Sequence, residues 1–393
     1  MKILLITDDF LPHMGGSRLY YYNIFRLFPS GETVVLTKKV PGSGSFDRHE
    51  DILRIVRVPL PLLKIKKIGD ILIYINLLAA SIGIFFKFRP DIIHCGEVLP
   101  SGFVGLLLSR LFNRPYIVYL HNNEMTYDTF RGEKYVFYRV LKNAHCIITA
   151  CNFVRDYFME KLPEKRMVLV NPGITKDFNH IGGFDPQRFK TSLGLKDTRV
   201  ILTVARLVRR KGIDNVIRVL PRLIGKYGDL MYIVIGEGPD QERIVALAED
   251  LKVSRKVTIK GVLGQDKIKK YYSISDVFIM PNREEAFGDI EGFGMVFLEA
   301  QSFGKPVIGG RSGGVSDSIV DNVTGLLVDP NDLDQIEKAI DRLLSDKGFA
   351  DQLGSSGRKR ALEEFCWDKK AKDVYLLSEQ IVREFHQRKI DRA

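Results

Sequence analysis

Cysteine is scarce in this chain. The four that occur, Cys95, Cys146, Cys151 and Cys366, form no CxxC pair. That spacing excludes both a zinc ribbon and a disulfide framework. Three of them lie in or beside apolar runs, as buried free thiols do, and a reducing cytoplasmic setting fits. A membrane-spanning run is also lacking. The uncharged stretch from Ile71 to Phe86 falls short of the roughly 20 residues a spanning helix needs. Residues 1–7 read as an apolar strand followed by acids, not as a signal peptide. No full GxGxxG follows that strand. Metal motifs are thin as well. Asp8-Asp9 offer no cage. Asp332-Leu333-Asp334 has D-x-D spacing, but it follows Pro330 and opens an amphipathic helix, where acids complement the helix start. Neither a metal nor another cofactor is expected.

What the sequence does have is length, a core and positive charge. Its 393 residues suffice for two ordinary domains. An apolar fraction of 45% with 27% charged residues is that of a packed globular protein. The 59 Lys and Arg against 48 Asp and Glu leave a net charge of +11. Such a chain attracts phosphates, nucleic acids or anionic lipid surfaces, and charge alone does not choose among them.

Strand-like runs recur at 2–7, 33–37, 53–58, 91–95, 116–120, 146–149 and 167–170, with helical stretches between the later ones. Ser17 is placed to cap a helix running to about Phe28. After Asn171-Pro172-Gly173-Ile174, the polar segment 175–186 reads as a hinge or linker. The alternation then restarts, with strands at 200–204, 231–235, 257–262, 277–280, 307–310 and 326–328. This is the pattern of doubly wound α/β domains, whose ligands bind at the C-terminal ends of the strands. The expected domains are 1–175 and 186–369, with a terminal charged helix over 370–393.

The densest chemistry lies at 283–300. The buried strand 277–280 feeds a loop holding Glu291, Gly292, Phe293 and Gly294. A helix then starts at Met295-Val296, carries Glu299 and stops before Gly304-Lys305-Pro306. Unsatisfied N–H groups at a helix start favour an anion. Ionised carboxylates accept several hydrogen bonds from sugar hydroxyls. A nucleotide sugar offers both partners. Arg206 and Lys211 follow the strand 200–204, where a diphosphate would lie, and the pair can neutralise one without a metal. Neighbouring Arg209 and Arg210 read as surface charge.

The run Glu291-Gly292-Phe293-Gly294 to Glu299 resembles the E-x7-E signature of retaining GT-B glycosyltransferases of the family four type. Its continuation through Lys305-Pro306-Val307 to Gly313-Gly314 is most similar to the phosphatidylinositol mannosyltransferase branch. The resemblance implies two Rossmann-like domains facing across a cleft, with the terminal helix crossing back to the first. Acceptors bind mostly to the first domain, donors to the second. It assigns Glu291 to the sugar hydroxyls, Glu299 to the ribose, and Arg206 and Lys211 to the leaving diphosphate. Gly236 in Gly236-Glu237-Gly238-Pro239 lies near the nucleotide, and Val262 and Leu263 where backbone groups read the base. Lys267 is a candidate base contact or a solvated helix charge. Gly292, Phe293, Gly294, Met295 and Val296 shape the phosphate turn.

In the first domain the resemblance puts Gly15-Gly16 against donor or acceptor, with a plain tight turn as the alternative. It puts His121, at a strand end, close to the donor sugar. Glu124, Tyr127 and the tyrosines from Tyr20 to Tyr22 are weaker acceptor-side candidates. Retention implies same-face attack with the leaving phosphate taking the acceptor's proton, so no protein nucleophile is expected, and domain closure limits hydrolysis. GDP-mannose is the implied donor, and a lipid-linked or glycan acceptor the implied partner. UDP-glucose or UDP-N-acetylglucosamine with a soluble acceptor stays open. The segment from Leu60 to Phe88 reads as a buried helix preceded by a basic loop, Lys64, Lys66 and Lys67, that suits peripheral contact with the inner face of a membrane. A nucleotide-sugar epimerase, a non-catalytic binder and a nucleic-acid-binding protein are the rivals. Against the last, the suggestive basic residues cluster at strand-to-helix loops instead of forming a stripe among stacking aromatics.

Overall fold

A computed structural model describes residues 1–8, 10–12, 15–59, 66–122, 124–125, 133–285 and 289–391, without the side chains of 66–71. Asp9, Lys64, Tyr127 and the Ala286-Phe287-Gly288 part of the glutamate loop lie outside these residues, as do the side chains of Lys66 and Lys67.

The chain divides into two compact units, Met1–Pro172 with Trp367–Ala393, and Gly173–Cys366. The first holds β1 (Ile3–Ile6), β2 (Thr33–Lys38), β3 (Arg54–Val58), β4 (Ile92–Cys95), β5 (Tyr116–Leu120), β6 (Cys146–Thr149) and β7 (Met167–Leu169). They form one sheet in the order β3-β2-β1-β4-β5-β6-β7, parallel throughout. The second holds β8 (Arg199–Val204), β9 (Leu230–Ile235), β10 (Val257–Ile259), β11 (Val277–Met280), β12 (Val307–Gly310) and β13 (Leu326–Val328). Their order is β10-β9-β8-β11-β12-β13, again all parallel. Parallel strands are covered on both faces, which is why β1, β4, β5 and β11 read as unbroken apolar runs and are buried from end to end. In each sheet the order reverses once, between β1 and β4 and between β8 and β11. Those two places are the switch points at which such sheets bind ligands.

Three local expectations differ from the structure. The first helix spans Gly16–Phe25, with Gly15 at its N-cap and no side-chain cap bond, so Ser17 is inside the helix. It ends before Phe28 because Pro29 restricts the residue ahead of it. β10 stops at Ile259, since Gly261 turns the chain away, so Val262 lies beyond the strand and is exposed. The segment read as a linker, 175–186, is anchored: Phe178 is buried in the second unit's core, beside Ile174 just ahead of the segment.

The helix Lys66–Phe88 packs on the helix Phe103–Phe112, with Phe85 stacked on Phe112 at 4.2 Å. Among the described residues no helix is long and apolar enough to cross a membrane. The terminal helix Trp367–Ile390 belongs to the first unit. Trp367 meets the Tyr20 ring edge-on at 5.8 Å, and Ser378 bonds His94 at 3.1 Å.

Candidate active site

In the second unit the loops after β8 and β11 meet at the switch point. A short 3-10 turn, Arg209–Lys211, is closed by Gly212 at φ 68. A Cβ on Gly212 would sit 2.1 Å from the Pro281 carbonyl oxygen, so only glycine lets the two loops touch. The Arg283 N–H donates to the Arg210 carbonyl at 2.9 Å and ties them together.

Glu291 is the hub of the junction. Its Oε2 accepts from Lys211 Nζ, from Arg210 Nη1 at 3.1 Å and from Asn282 Nδ2 at 3.1 Å. Burial alone would raise this carboxyl, but the Lys211 and Arg210 charges and the Lys211 and Asn282 hydrogen bonds outweigh it and hold it below the usual carboxylate range. Among the described residues Glu291 Oε1 accepts nothing, so half the carboxylate remains available. The backbone of Glu291 is fixed too. Its carbonyl accepts the Gly314 N–H at 2.9 Å, and a Cβ on Gly313, at φ 55, would sit 2.2 Å from the same oxygen.

Behind this hub runs a buried ionic network. Asp214 takes Arg283 Nη1 at 2.9 Å and Arg243 Nη1 at 3.2 Å, while Arg243 also binds Asp240. It holds Arg283, and with it the start of the glutamate loop. Arg210 is drawn inward as well, reaching Asp289 at 3.2 Å and Glu291. The expectation that Arg210 is surface charge is therefore wrong, because a buried carboxylate claims it. Arg209 is exposed as expected.

Gly294 caps the helix Met295–Ser302, whose first turn carries Met295 and Val296, both half-buried. Gly292 is half-buried, and Phe293 is buried against Phe365 with ring centroids 5.6 Å apart. Glu299 accepts a hydrogen bond from the Tyr272 hydroxyl at 2.8 Å. Burial raises its carboxyl, and that bond partly offsets the rise. As with Glu291, the second carboxylate oxygen takes no donor among the described residues.

Arg206 lies in the same loop as Lys211. Its side chain is exposed and makes no hydrogen bond or ion pair among the described residues. The Gly236 N–H donates to the Gly261 carbonyl at 2.8 Å, which aligns the loops after β9 and β10. Leu263 packs on the core, while Val262 and Lys267 face solvent. The D-x-D carboxylates are used locally: Asp332 caps the helix Leu333–Ser345, and Asp334 pairs with Arg222 at 2.8 Å.

Within the first unit, Gly15 and Gly16 follow β1 and His121 follows β5. His121 Nε2 lies 2.6 Å from the Tyr21 hydroxyl, which donates to the Gly96 carbonyl, and the His121 N–H donates to Glu124 at 3.0 Å. Tyr20 and Tyr21 are buried, so both serve packing, and Tyr21 also orients the histidine. Burial pushes the Glu124 carboxyl up to about 7. One acid went unnoticed in the sequence. Glu97 follows β4 at the first switch point, accepting from Thr7 Oγ1 at 2.6 Å, the Asp8 N–H at 3.0 Å and Ser101 Oγ at 3.0 Å. Its place just past a strand end was the signal. Burial, opposed by those bonds, pushes its carboxyl up to about 8. Tyr272 and Asn282 were also missed. Neither belongs to a motif, and their partners come from tertiary packing.

Residues 185–360 match the family described as glycosyl transferases group 1, and residues 14–178 match glycosyltransferase family 4. The chain is 29% identical over 370 residues to a GDP-mannose-dependent alpha-(1-6)-phosphatidylinositol monomannoside mannosyltransferase of Mycolicibacterium smegmatis, covering 93% of this chain and 95% of the relative. It is 26% identical to a GDP-mannose-dependent monoacylated alpha-(1-6)-phosphatidylinositol monomannoside mannosyltransferase of Corynebacterium glutamicum, with the same coverage of 93% and 95%. Among solved structures, the HepE protein of Anabaena in complex with UDP superposes with a TM-score of 0.81 at 17% identity, over 97% of this chain and all of that one. A sucrose-phosphate synthase from Thermosynechococcus elongatus gives 0.79 at 23% identity, over 98% of this chain and all of that one.

Proposed function

Because this chain belongs to the GT-B glycosyltransferases of the group 1 and family 4 type, we propose that it is a retaining mannosyltransferase that moves mannose from GDP-mannose to a lipid-linked or glycan acceptor. The observation that carries this reading is the Lys211–Glu291 pair at the second switch point, with exposed Arg206 in the same loop. The pair holds Lys211 in place before any donor arrives. Arg206 and Lys211 then face the diphosphate, whose charge grows as the glycosidic bond breaks. Their help accelerates the step because it is larger in the transition state than in the ground state. The N–H groups at the start of the helix Met295–Ser302 add to it.

Oε1 of Glu291 receives hydroxyls of the sugar, and Oε1 of Glu299 receives the ribose. Tyr272 orients Glu299 for this. Gly236, Val262, Leu263 and Lys267 border the base. His121, steadied by Tyr21, and Gly15-Gly16 act from the first unit on the sugar and acceptor. Because fixed cations neutralise the diphosphate, turnover needs no divalent ion and proceeds in EDTA. The relatives named for phosphatidylinositol mannoside substrates support mannose and a lipid acceptor. The basic start of the segment from Leu60 to Phe88 supports peripheral membrane contact on the cytoplasmic side.

The test is a thermal-shift panel of GDP-, UDP- and ADP-sugars, followed by transfer from the best donor into membrane extract, with the anomeric configuration of the product read by NMR. GDP-mannose should stabilise most, and the product should be the α-anomer. A shift confined to a UDP-sugar would replace the donor, and turnover of the nucleotide sugar without acceptor would indicate an epimerase.

A further inference from the structure

The first unit has a second concave site on the edge of its sheet away from the strand C-termini. A cavity of about 350 Å³ opens where the chain enters β5, β6 and β7, walled by Asn113, His145, Lys165 and the last turns of the helix Trp367–Ile390. The His145 and Phe385 rings meet edge-on at 5.1 Å and form its floor.

Its charges are unbalanced. Lys165 Nζ donates to the Lys142 carbonyl at 3.0 Å and pairs with no carboxylate among the described residues. Burial pulls its ammonium below the usual lysine range. Arg388 and Lys389 line the same cavity and likewise form no ion pair among the described residues, although Lys389 Nζ lies 5.3 Å from the Phe385 ring centre. The one acid in the wall, Glu384, is engaged by Arg166 at 3.2 Å. The helices Phe103–Phe112 and Lys134–Asn143 end here. With the end of the helix Trp367–Ile390, three C-termini contribute roughly half a negative charge each, which still leaves the three cations in excess. His145 registers the excess. Burial, then the Lys165 and Arg388 charges, lower its pKa to about 4. Its Nδ1 accepts the Tyr116 N–H at 3.2 Å, so the neutral ring carries its proton on Nε2 as a donor.

We propose that this cavity binds a phosphate monoester, with Lys165 and Arg388 holding the dianion and Phe385 packing against its carbon body. An anion here restores the balance that burial of Lys165 upsets, and the apolar floor favours a phosphorylated organic molecule over a bare ion. The cavity lies at the opposite end of the strands from Gly15, Gly16 and His121.

The test is calorimetric titration of the full chain with inorganic phosphate and with glycerol 3-phosphate, in the unmodified protein and in Lys165→Met, Arg388→Ser and Arg206→Ala variants. Saturable binding of glycerol 3-phosphate, weakened roughly tenfold or more in the first two variants and unchanged in the third, supports the proposal, and the His145 NMR signals should move with saturation. Arg388→Ser changes an exposed side chain with no ion pair among the described residues, so folding does not confound it. Retention on phosphatidylcholine vesicles doped with phosphatidic acid, lost in Arg388→Ser, with no binding of glycerol 3-phosphate, would make a lipid head group the source of the same chemistry. Binding lost only in Arg206→Ala, equal in all variants, or absent from both soluble probes and from the phosphatidic acid vesicles overturns the proposal.

Discussion

The ammonium of Lys211 donates to Oε2 of Glu291, the oxygen that also takes Arg210 and Asn282. The pair is asymmetric. Among the described residues Glu291 has three donors, whereas the Lys211 ammonium has this one carboxylate. Glu291→Ala strands a buried ammonium and should cost about 3–5 kcal/mol of stability. Lys211→Ala leaves Glu291 with Arg210 and Asn282 and should cost about 1–3 kcal/mol. Both should lower transfer roughly a hundredfold. Urea midpoints alongside initial rates check this, and equal stability losses would show that the asymmetry is not real.

Arg206 should separate activity from stability. With an exposed side chain and no partner among the described residues, Arg206→Ala should stay within about 0.5 kcal/mol of the parent in unfolding. Its kcat should still fall roughly a hundredfold if the guanidinium meets the departing diphosphate. A variant of parental activity would remove Arg206 from the mechanism.

Gly313 controls Glu291 from behind. A methyl at this position meets the Glu291 carbonyl at 2.2 Å, in a backbone conformation that disfavours any side chain. Gly313→Ala should therefore cost about 1–3 kcal/mol and weaken nucleotide-sugar binding by displacing the Glu291 loop. Calorimetry with the donor and a melting curve measure the two effects. Unchanged donor affinity would mean that Glu291 tolerates the shift.

How much of this was written in the sequence depends on how local the determinant is. Both sheets were legible because parallel strands buried on both faces are continuous apolar runs, as in β1 and β11. Glu291, Gly294 and Glu299 were legible because loop, turn and helix follow one another along the chain. Arg210 was not. Arg209, Arg210 and Lys211 occupy a single 3-10 turn, in which successive side chains point about 120° apart. Charge alone does not say which of the three faces inward, and the deciding contact is with Glu291, 81 residues away in the case of Arg210. Tyr272, 27 residues from Glu299, and Asp214 were hidden for the same reason. The end of β10 was overrun because Val262 continues the β-branched run past Gly261, where a left-handed φ breaks the strand.

Stability should also depend on pH through the first unit. Glu97 and Glu124 are pushed from 4.5 to about 8 and about 7, chiefly by burial. Their folded pKa values exceed the unfolded ones, so their contribution is complete below pH 4.5 and is lost as pH rises through the folded values. His94 and His145 shift the other way, from 6.5 to about 3 and about 4. Their contribution is complete above pH 6.5 and is lost on acidification. Between pH 4.5 and 6.5 the two sets oppose each other. Between pH 6.5 and 8 only the carboxylates still titrate, so unfolding midpoints should fall across that interval. Glu97→Gln keeps a neutral side chain at the first switch point and should flatten this decline. Urea titrations of both proteins at a series of pH values give the comparison. Identical slopes from pH 6.5 to 8 would mean that Glu97 is already ionised in the folded chain, and that the hydrogen bonds from Thr7, Asp8 and Ser101 outweigh its burial.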